Sequence, residues 1–200
     1  MTRLLAALLR ASRDLQDLDQ SWALIGGLAV SARAEPRTTR DVDLVVAVAG
    51  DSQAEKLVRN LRARGYTLVE HLEQDAAGRL ATVRFIAPGE EEEGVLVDLL
   101  FASSGVEPEI VAQAEELELA AGIVLPIATT GHLIALKLLA RDDRNRPQDF
   151  DDLKALLREA SPEDVSAARE ALQLIIERGY NRGRGDLLEQ LEQLAADRSH

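Results

Sequence analysis

The chain reads as an α+β protein whose strand-bearing half spans residues 1–128 and whose helical half spans residues 129–200. Two observations predict this. Short apolar runs of strand character alternate with amphipathic stretches up to about residue 128, and after Thr130 only helical periodicity remains. At 200 residues the chain is long enough to bury a proper core, as one domain or as two small ones. No internal repeat is visible, and low complexity is confined to the run Glu90–Glu93, whose reading is a solvated loop.

Leu4–Asp19 is predicted as an amphipathic helix, with Leu4, Leu5, Leu8, Leu9, Leu15 and Leu18 forming its apolar stripe. Ser21–Ile25 follows as a strand, Gly27–Ala34 as a short helix, and Asp41–Ala47 as a second strand. Asp51–Gly65 reads as a helix with Ser52 or Asp51 as N-cap and Gly65 as its stop. Tyr66–Glu70 and Leu80–Ile86 are expected as strands about a turn near Asp75–Gly78, with Val95–Phe101 as another. Pro108–Glu116 is predicted helical, and Leu119–Ala128 a short strand pair around Gly122. The helices Gly131–Arg141, Asp149–Arg158, Ser161–Arg178 and Asp186–Ala196 complete the chain. Ser161 and Pro162 mark the third of these as capped, and Gly179 ends it.

Composition narrows the function classes. Cysteine is absent, so there is no disulfide framework, thiolate zinc site or cysteine nucleophile. The N-terminal apolar run lacks a cleavage site, and no stretch approaches a membrane span, so a cytoplasmic protein is expected. A net charge of −12 argues against broad, non-specific binding of nucleic acid. It leaves room for a local basic mouth, for which Arg33, Arg37 and Arg40, and later Arg141, Arg144 and Arg146, are candidates. A tRNA end fits that picture better than a long duplex.

The most informative stretch is Trp22–Val46. It joins an apolar strand, the turn Gly26-Gly27, a short helix and a second apolar strand opening with Asp41-Val42-Asp43. Carboxylates at i and i+2 on a strand point the same way, and like charges so close call for a cation between them. Oxygen-only ligands suit magnesium or manganese. The glycine pair lets backbone N–H groups approach an anion, and the helix N-terminus adds partial positive charge. Each feature has a plainer reading, since Gly-Gly is usually a tight turn and Asp-x-Asp is common on solvated strand edges. The apolar run Leu44–Val48 after the pair points instead to a buried strand. Asp98 is a lone acid in Gly94–Phe101 and needs a partner if buried. Lys137 interrupts an apolar helix, either snorkelling to solvent or serving a ligand.

The Gly-Gly turn followed by Arg37-Thr38-Thr39-Arg40-Asp41-Val42-Asp43 resembles the nucleotidyltransferase superfamily, in its R-x-T-x-D-x-D form. Lys137 with Arg146-x-x-Asp149-x-x-Asp152-Leu153 is similar to the signature of the AbiEii-like toxin branch. The resemblance covers about Leu24 to Leu153 and, more loosely, the C-terminal helices. It implies a mixed sheet with flanking helices followed by a helical bundle. Asp41, Asp43 and Asp98 would hold Mg2+ or Mn2+, with a nucleoside triphosphate on Gly26, Gly27 and Arg40. Lys137 would bind the phosphates. Asp152 would hold the lysine ammonium or bind ribose or substrate, and Asp149 either joins it or merely caps its helix. The usual serine after the first glycine is Gly27 here, which removes a hydroxyl contact.

The resemblance further implies transfer of a nucleotide to a hydroxyl of tRNA, another RNA or a protein, by the toxin of a toxin–antitoxin pair with an antitoxin partner. The alternatives are an aminoglycoside-like small-molecule nucleotidylyltransferase, which an acidic protein suits, and a non-catalytic domain that binds nucleotide or a partner. Other residues offer less. His71 and His200 lack ligand spacing, His132 reads as a surface or helix-start residue, and Ser31 and Ser103 have no base in motif spacing. Gly179–Asp186 reads as a helix–helix turn, or as a phosphate contact through Arg182 or Arg184. Trp22 and the few other aromatic residues form no stacking platform.

Overall fold

The computed structural model describes residues 2–74, 79–89, 94–142 and 147–197. The expected turn at Asp75–Gly78, the run Glu90–Glu93, Arg144, Arg146 and His200 lie outside the described residues.

Seven strands form one mixed sheet: β1 (Trp22–Ile25), β2 (Val42–Val46), β3 (Thr67–Gln74), β4 (Arg79–Ile86), β5 (Leu96–Leu100), β6 (Glu115–Ala120) and β7 (Ile123–Ile127). Their order is β3-β4-β5-β2-β1-β7-β6. The central pairs β2–β5 and β1–β7 are parallel, and the remaining pairs are antiparallel. One face of the central strands is apolar, with Leu24, Leu44, Val46, Val83, Phe85 and Leu99 buried, while the other buries Ala23, Ile25 and Val45 and carries Asp43, Asp98 and Arg84.

The helices are α1 (Arg3–Asp17), α2 (Gly26–Arg33), α3 (Asp51–Ala63), α4 (Glu107–Ala112), α5 (Thr130–Ala140), α6 (Pro147–Glu159), α7 (Pro162–Glu177) and α8 (Leu187–Asp197). The leucine stripe of α1 buries Leu8 and Leu15, packing the helix on β2 and β5, while α3 packs on β4. Helix α5 is buried nearly all round and packs on α6 and α7. Its N-terminus is capped by Thr129, whose hydroxyl accepts from the His132 N–H at 3.3 Å. Ser161 and Asp164 form a reciprocal capping box on α7. One apolar core runs from the sheet into the later helices, from Leu8 to Leu191.

Several boundaries differ from expectation for physical reasons. Glu115 and Glu116 extend no helix. They open the acidic edge strand β6, which pairs with β7 around Gly122 at φ +76°, so sheet pairing overrides the helical preference of glutamate. Neither Asp51 nor Ser52 caps α3, because the helix already begins at Asp51 and Gly50 takes the cap position. Helix α6 starts two residues before Asp149, which places Asp149 in its first turn and excludes the capping role.

Candidate active site

The turn from β1 into α2 is shaped by one close approach. Gly26 adopts φ +64°, and a Cβ on it would sit 1.9 Å from Oδ2 of Asp43. The glycine is therefore required by the carboxylate lying against its backbone. Helix α2 has no side-chain cap at its N-terminus, and Ile25, Gly26 and Gly27 line a cleft of about 740 Å3. A Cβ on Gly27 would meet the Arg37 guanidinium at 2.6 Å and the Thr39 hydroxyl at 2.8 Å, so this glycine admits the loop that precedes Asp41. Ser31 fastens that loop, donating to the Gly27 carbonyl at 2.9 Å and accepting from the Arg37 N–H at 3.2 Å.

The cleft floor is a row of charged side chains. Asp43 on β2 stands directly beside Asp98 on β5, and Asp98 stands beside Arg84 on β4. Residues in register on neighbouring strands share a sheet face, so all three project together. Asp41, one residue before β2, lines the same cleft. Arg84 makes a two-pronged contact with Asp98, Nε donating to Oδ1 at 2.8 Å and Nη2 to Oδ2 at 2.6 Å. Burial pushes the Asp43 carboxyl up to about 6, and the nearby charges of Asp98 and Asp41 add to this against the opposing pull of Lys137. Asp98 thus has the partner that burial demands, and the partner is Arg84.

Opposite this row, Lys137 of α5 reaches into the cleft with Nζ 2.7 Å from Asp149 and 2.7 Å from Asp152, both on α6. Asp152 is only 2% exposed and lies behind the lysine, away from the cleft lining, whereas Asp149 lines it. Arg37 closes the cluster. Its Nη2 donates to Asp152 Oδ2 at 2.9 Å, and its Nε sits 2.6 Å from Oδ1 at an angle outside a hydrogen bond. The loop before Asp41 is thereby tied to the helix that holds Lys137. A second, more apolar cavity of about 700 Å3 lies behind Arg37 and Asp152, but the carboxylate row and Lys137 are not in it.

The arginines separate. Arg40 and Arg182 line the cleft. Arg33 instead binds the Ile127 and Ala128 carbonyls and Glu115. Arg184 caps the end of α5 through the Leu138 and Leu139 carbonyls, and Arg141 lies 4.3 Å over the Phe150 ring. His132 is a buried helix-start residue with Nδ1 2.9 Å from the Thr129 hydroxyl. Ser103 and Ser104 border the cleft, and their N–H and hydroxyl groups converge on the buried Glu107 carboxylate, which fixes the loop after β5.

The structure thus brings Gly26, Gly27, Arg40, Asp41, Asp43, Asp98, Lys137 and Asp149 around one cleft and sets Asp152 behind it. Sequence reasoning missed Arg84. The available signal was a lone cation in Leu80–Ile86, on the face opposite Val83 and Phe85. The donor set fits a hard divalent cation, being carboxylate oxygens alone with two acids in register. Among the described residues no three acidic or histidine side chains are already arranged to hold a metal ion, and both Asp98 oxygens are committed to Arg84.

Among solved structures, the chain is similar to an antigenic nucleotidyltransferase-like protein from Paracoccidioides brasiliensis, at 19% identity and a TM-score of 0.51, over 95% of this chain and 91% of that one. The lincosamide antibiotic adenylyltransferase LnuA, lincomycin-bound, shares 14% identity over 76% of this chain and 94% of its own, with a TM-score of 0.49. ANT(2'')-Ia in complex with adenylyl-2''-tobramycin shares 18% identity over 99% of this chain and 98% of its own, also at 0.49. At such identities the first likeness speaks for the fold alone. No curated protein matches the chain in sequence. The sequence profile described as nucleotidyl transferase AbiEii toxin, type IV TA system, matches residues 7–199, nearly the whole length, and the chain belongs to this family of nucleotidyltransferases.

Proposed function

We propose that this nucleotidyltransferase transfers a nucleoside monophosphate from a triphosphate to an acceptor hydroxyl in a metal-dependent reaction. The observation that carries the reading is the in-register pair Asp43–Asp98 facing Lys137 across one cleft. Asp41, Asp43 and Asp98 would hold Mg2+ or Mn2+, which supplies charge neutralisation for the triphosphate when bound. The uncapped N-terminus of α2 at Gly26-Gly27 receives phosphate oxygens, with Arg40 at the rim. An ammonium has three N–H donors, so the two carboxylate contacts of Lys137 leave one for the leaving pyrophosphate. Asp98 takes the proton of the acceptor hydroxyl as it attacks the α-phosphorus. Asp152, with Arg37, positions the lysine and does not touch nucleotide. In this reading residues 1–128 are the catalytic part and residues 129–200 the helical part that contributes the lysine.

The cleft also carries Arg40 and Arg182 away from the carboxylate row, and these suit an anionic acceptor better than a polycationic one. The acceptor in this reading is RNA, tRNA first, with a protein hydroxyl as the other candidate, and the biological role is that of a toxin restrained by an antitoxin. Among the described residues no helix is long and apolar enough to cross a membrane, in keeping with action in the cytoplasm. The test is incubation with α-labelled nucleotides and magnesium, offering tRNA, protein or aminoglycosides in parallel. Label is expected on tRNA with release of pyrophosphate, and an Asp43→Asn variant should lose about a thousandfold in rate. Label on an aminoglycoside would replace the acceptor, and nucleotide binding without any pyrophosphate would overturn the enzymatic reading.

A further inference from the structure

The strand β4 alternates cleanly, with Ala81, Val83 and Phe85 buried and Arg84 on the other face. Arg84 lies opposite Asp98, and Asp98 lies opposite Asp43, so one cation and two anions stand in a row across three adjacent strands. The guanidinium occupies both oxygens of Asp98, while among the described residues no such fork is offered to Asp43. Asp98 is nearly buried, but the Arg84 side chain keeps about a third of its surface exposed, at 34%, on the wall of the cleft.

This arrangement poses a conflict with the proposed reaction. Three carboxylates and a triphosphate need divalent charge, yet the oxygens of Asp98 are filled by a monovalent cation that the chain itself supplies. We infer that Arg84 is an exchangeable counter-cation, which holds Asp98 in the nucleotide-free protein and passes to the incoming triphosphate as a divalent cation takes the carboxylate. The inference rests on the metal-dependent reading above. Its physical basis is charge balance. Without Arg84 the row would place Asp98 and Asp43 side by side in a partly desolvated cleft, with Asp41 close by, a costly state in the absence of metal. Arginine suits the task because its planar fork fixes the orientation of the carboxylate and its charge never titrates away. The same fork matches phosphate oxygens, so the exchange trades one bidentate partner for another. The alternative is a permanent strut joining β4 to β5, and the two make opposite predictions for metal affinity.

The experiment is titration of the nucleotide-free protein with Mn2+, following the free ion by electron paramagnetic resonance. An Arg84→Gln variant removes the competitor and should bind Mn2+ about tenfold more tightly, a change of the size that groups bonded to metal ligands produce. Arg84→Lys keeps the charge without the fork and should fall between that variant and the wild type, and it serves as the test if Arg84→Gln does not fold. In the presence of Mn2+, a non-hydrolysable triphosphate should bind Arg84→Gln more weakly than wild type. Mn2+ affinity that is unchanged or reduced in a folded Arg84 variant makes Arg84 a strut and overturns the inference. Asp43→Asn separates this failure from failure of the parent reading. If Asp43→Asn loses Mn2+ while the Arg84 variants gain none, only the exchange is wrong. If wild type and Asp43→Asn bind alike, the metal site itself is wrong.

Discussion

The two walls of the cleft are built on opposite principles of charge. On one wall stand Asp41, Asp43 and Asp98, with Arg84 bonded to Asp98. On the other, Lys137 and Arg37 are matched by Asp149 and Asp152. The first wall carries excess negative charge that only an incoming cation can relieve, and burial with neighbouring charge holds Asp43 up to about 6. The second is balanced internally and buried at its centre, at Asp152. A third cluster, remote from the cleft, extends the contrast. Burial would raise the Asp14 carboxyl, but hydrogen bonds from Arg10, Arg64 and Tyr66 outweigh it and hold it below its ordinary value. Asp14 thereby ties α1 to the end of α3 and the entry to β3. Charge that is fully answered within the chain holds elements together, and charge left unanswered marks where a ligand is expected.

The largest effect on stability should come from breaking the balanced wall at its buried centre. Asp152→Asn leaves Arg37 without its carboxylate and takes one of two partners from Lys137. Removing one member of a buried charge cluster costs about 3 kcal/mol, which at this chain length lowers the melting temperature by roughly 8 °C. Thermal unfolding followed by circular dichroism checks this. A loss below about 2 °C would mean that the cluster is not what holds α6 to the loop before Asp41.

The unbalanced wall should respond in the opposite direction. A carboxyl whose folded value is raised to about 6 binds more protons in the folded state than in the unfolded chain between about pH 4 and pH 6. Its contribution therefore costs stability as pH rises through that window, and the cost is fully present at pH 7. Asp43→Asn removes it and should stabilise the metal-free protein by about 2 kcal/mol at pH 7, with the gain vanishing near pH 4. Denaturant midpoints at the two pH values decide the matter. A variant that is destabilised at pH 7 would show that Asp43 is compensated after all.

The walls also differ in how visible they were in the sequence. Asp41 and Asp43 stand out through period-two spacing, Asp98 as the one acid in an apolar strand, and Lys137 as the one cation in an apolar helix. Each signal is local, because a charge among apolar neighbours needs no distant information to be noticed. The partners were less legible. Arg84 meets Asp98 only through the β4–β5 register, and Arg37 meets Asp152 across 115 residues. The same limit hid the strand order, since the parallel pairs β2–β5 and β1–β7 join segments far apart in the chain. The α+β class, the later helices and the N-cap at Ser161 were legible because periodicity and caps are written within one element. Glu115 and Glu116 misled because their intrinsic helical preference is weaker than the pairing of β6 with β7.

The smallest effect sharpens the comparison within the balanced wall. Asp149 and Asp152 approach the same ammonium at the same 2.7 Å, so pair distance alone predicts equal worth. Their surroundings differ, with the Asp149 side chain 14% exposed at the cleft and that of Asp152 2% exposed and shared with Arg37. Water reaches the first and replaces part of what a substitution removes, whereas the second leaves two cations short of a partner at a position that water scarcely reaches. Asp149→Asn should therefore cost about 1 kcal/mol, well under half the loss in Asp152→Asn. It keeps an amide oxygen that can accept from Lys137, which limits the loss further. Equal losses in the two variants, measured by the same thermal unfolding, would mean that distance to the ammonium, and not burial of the carboxylate, sets the strength of this wall.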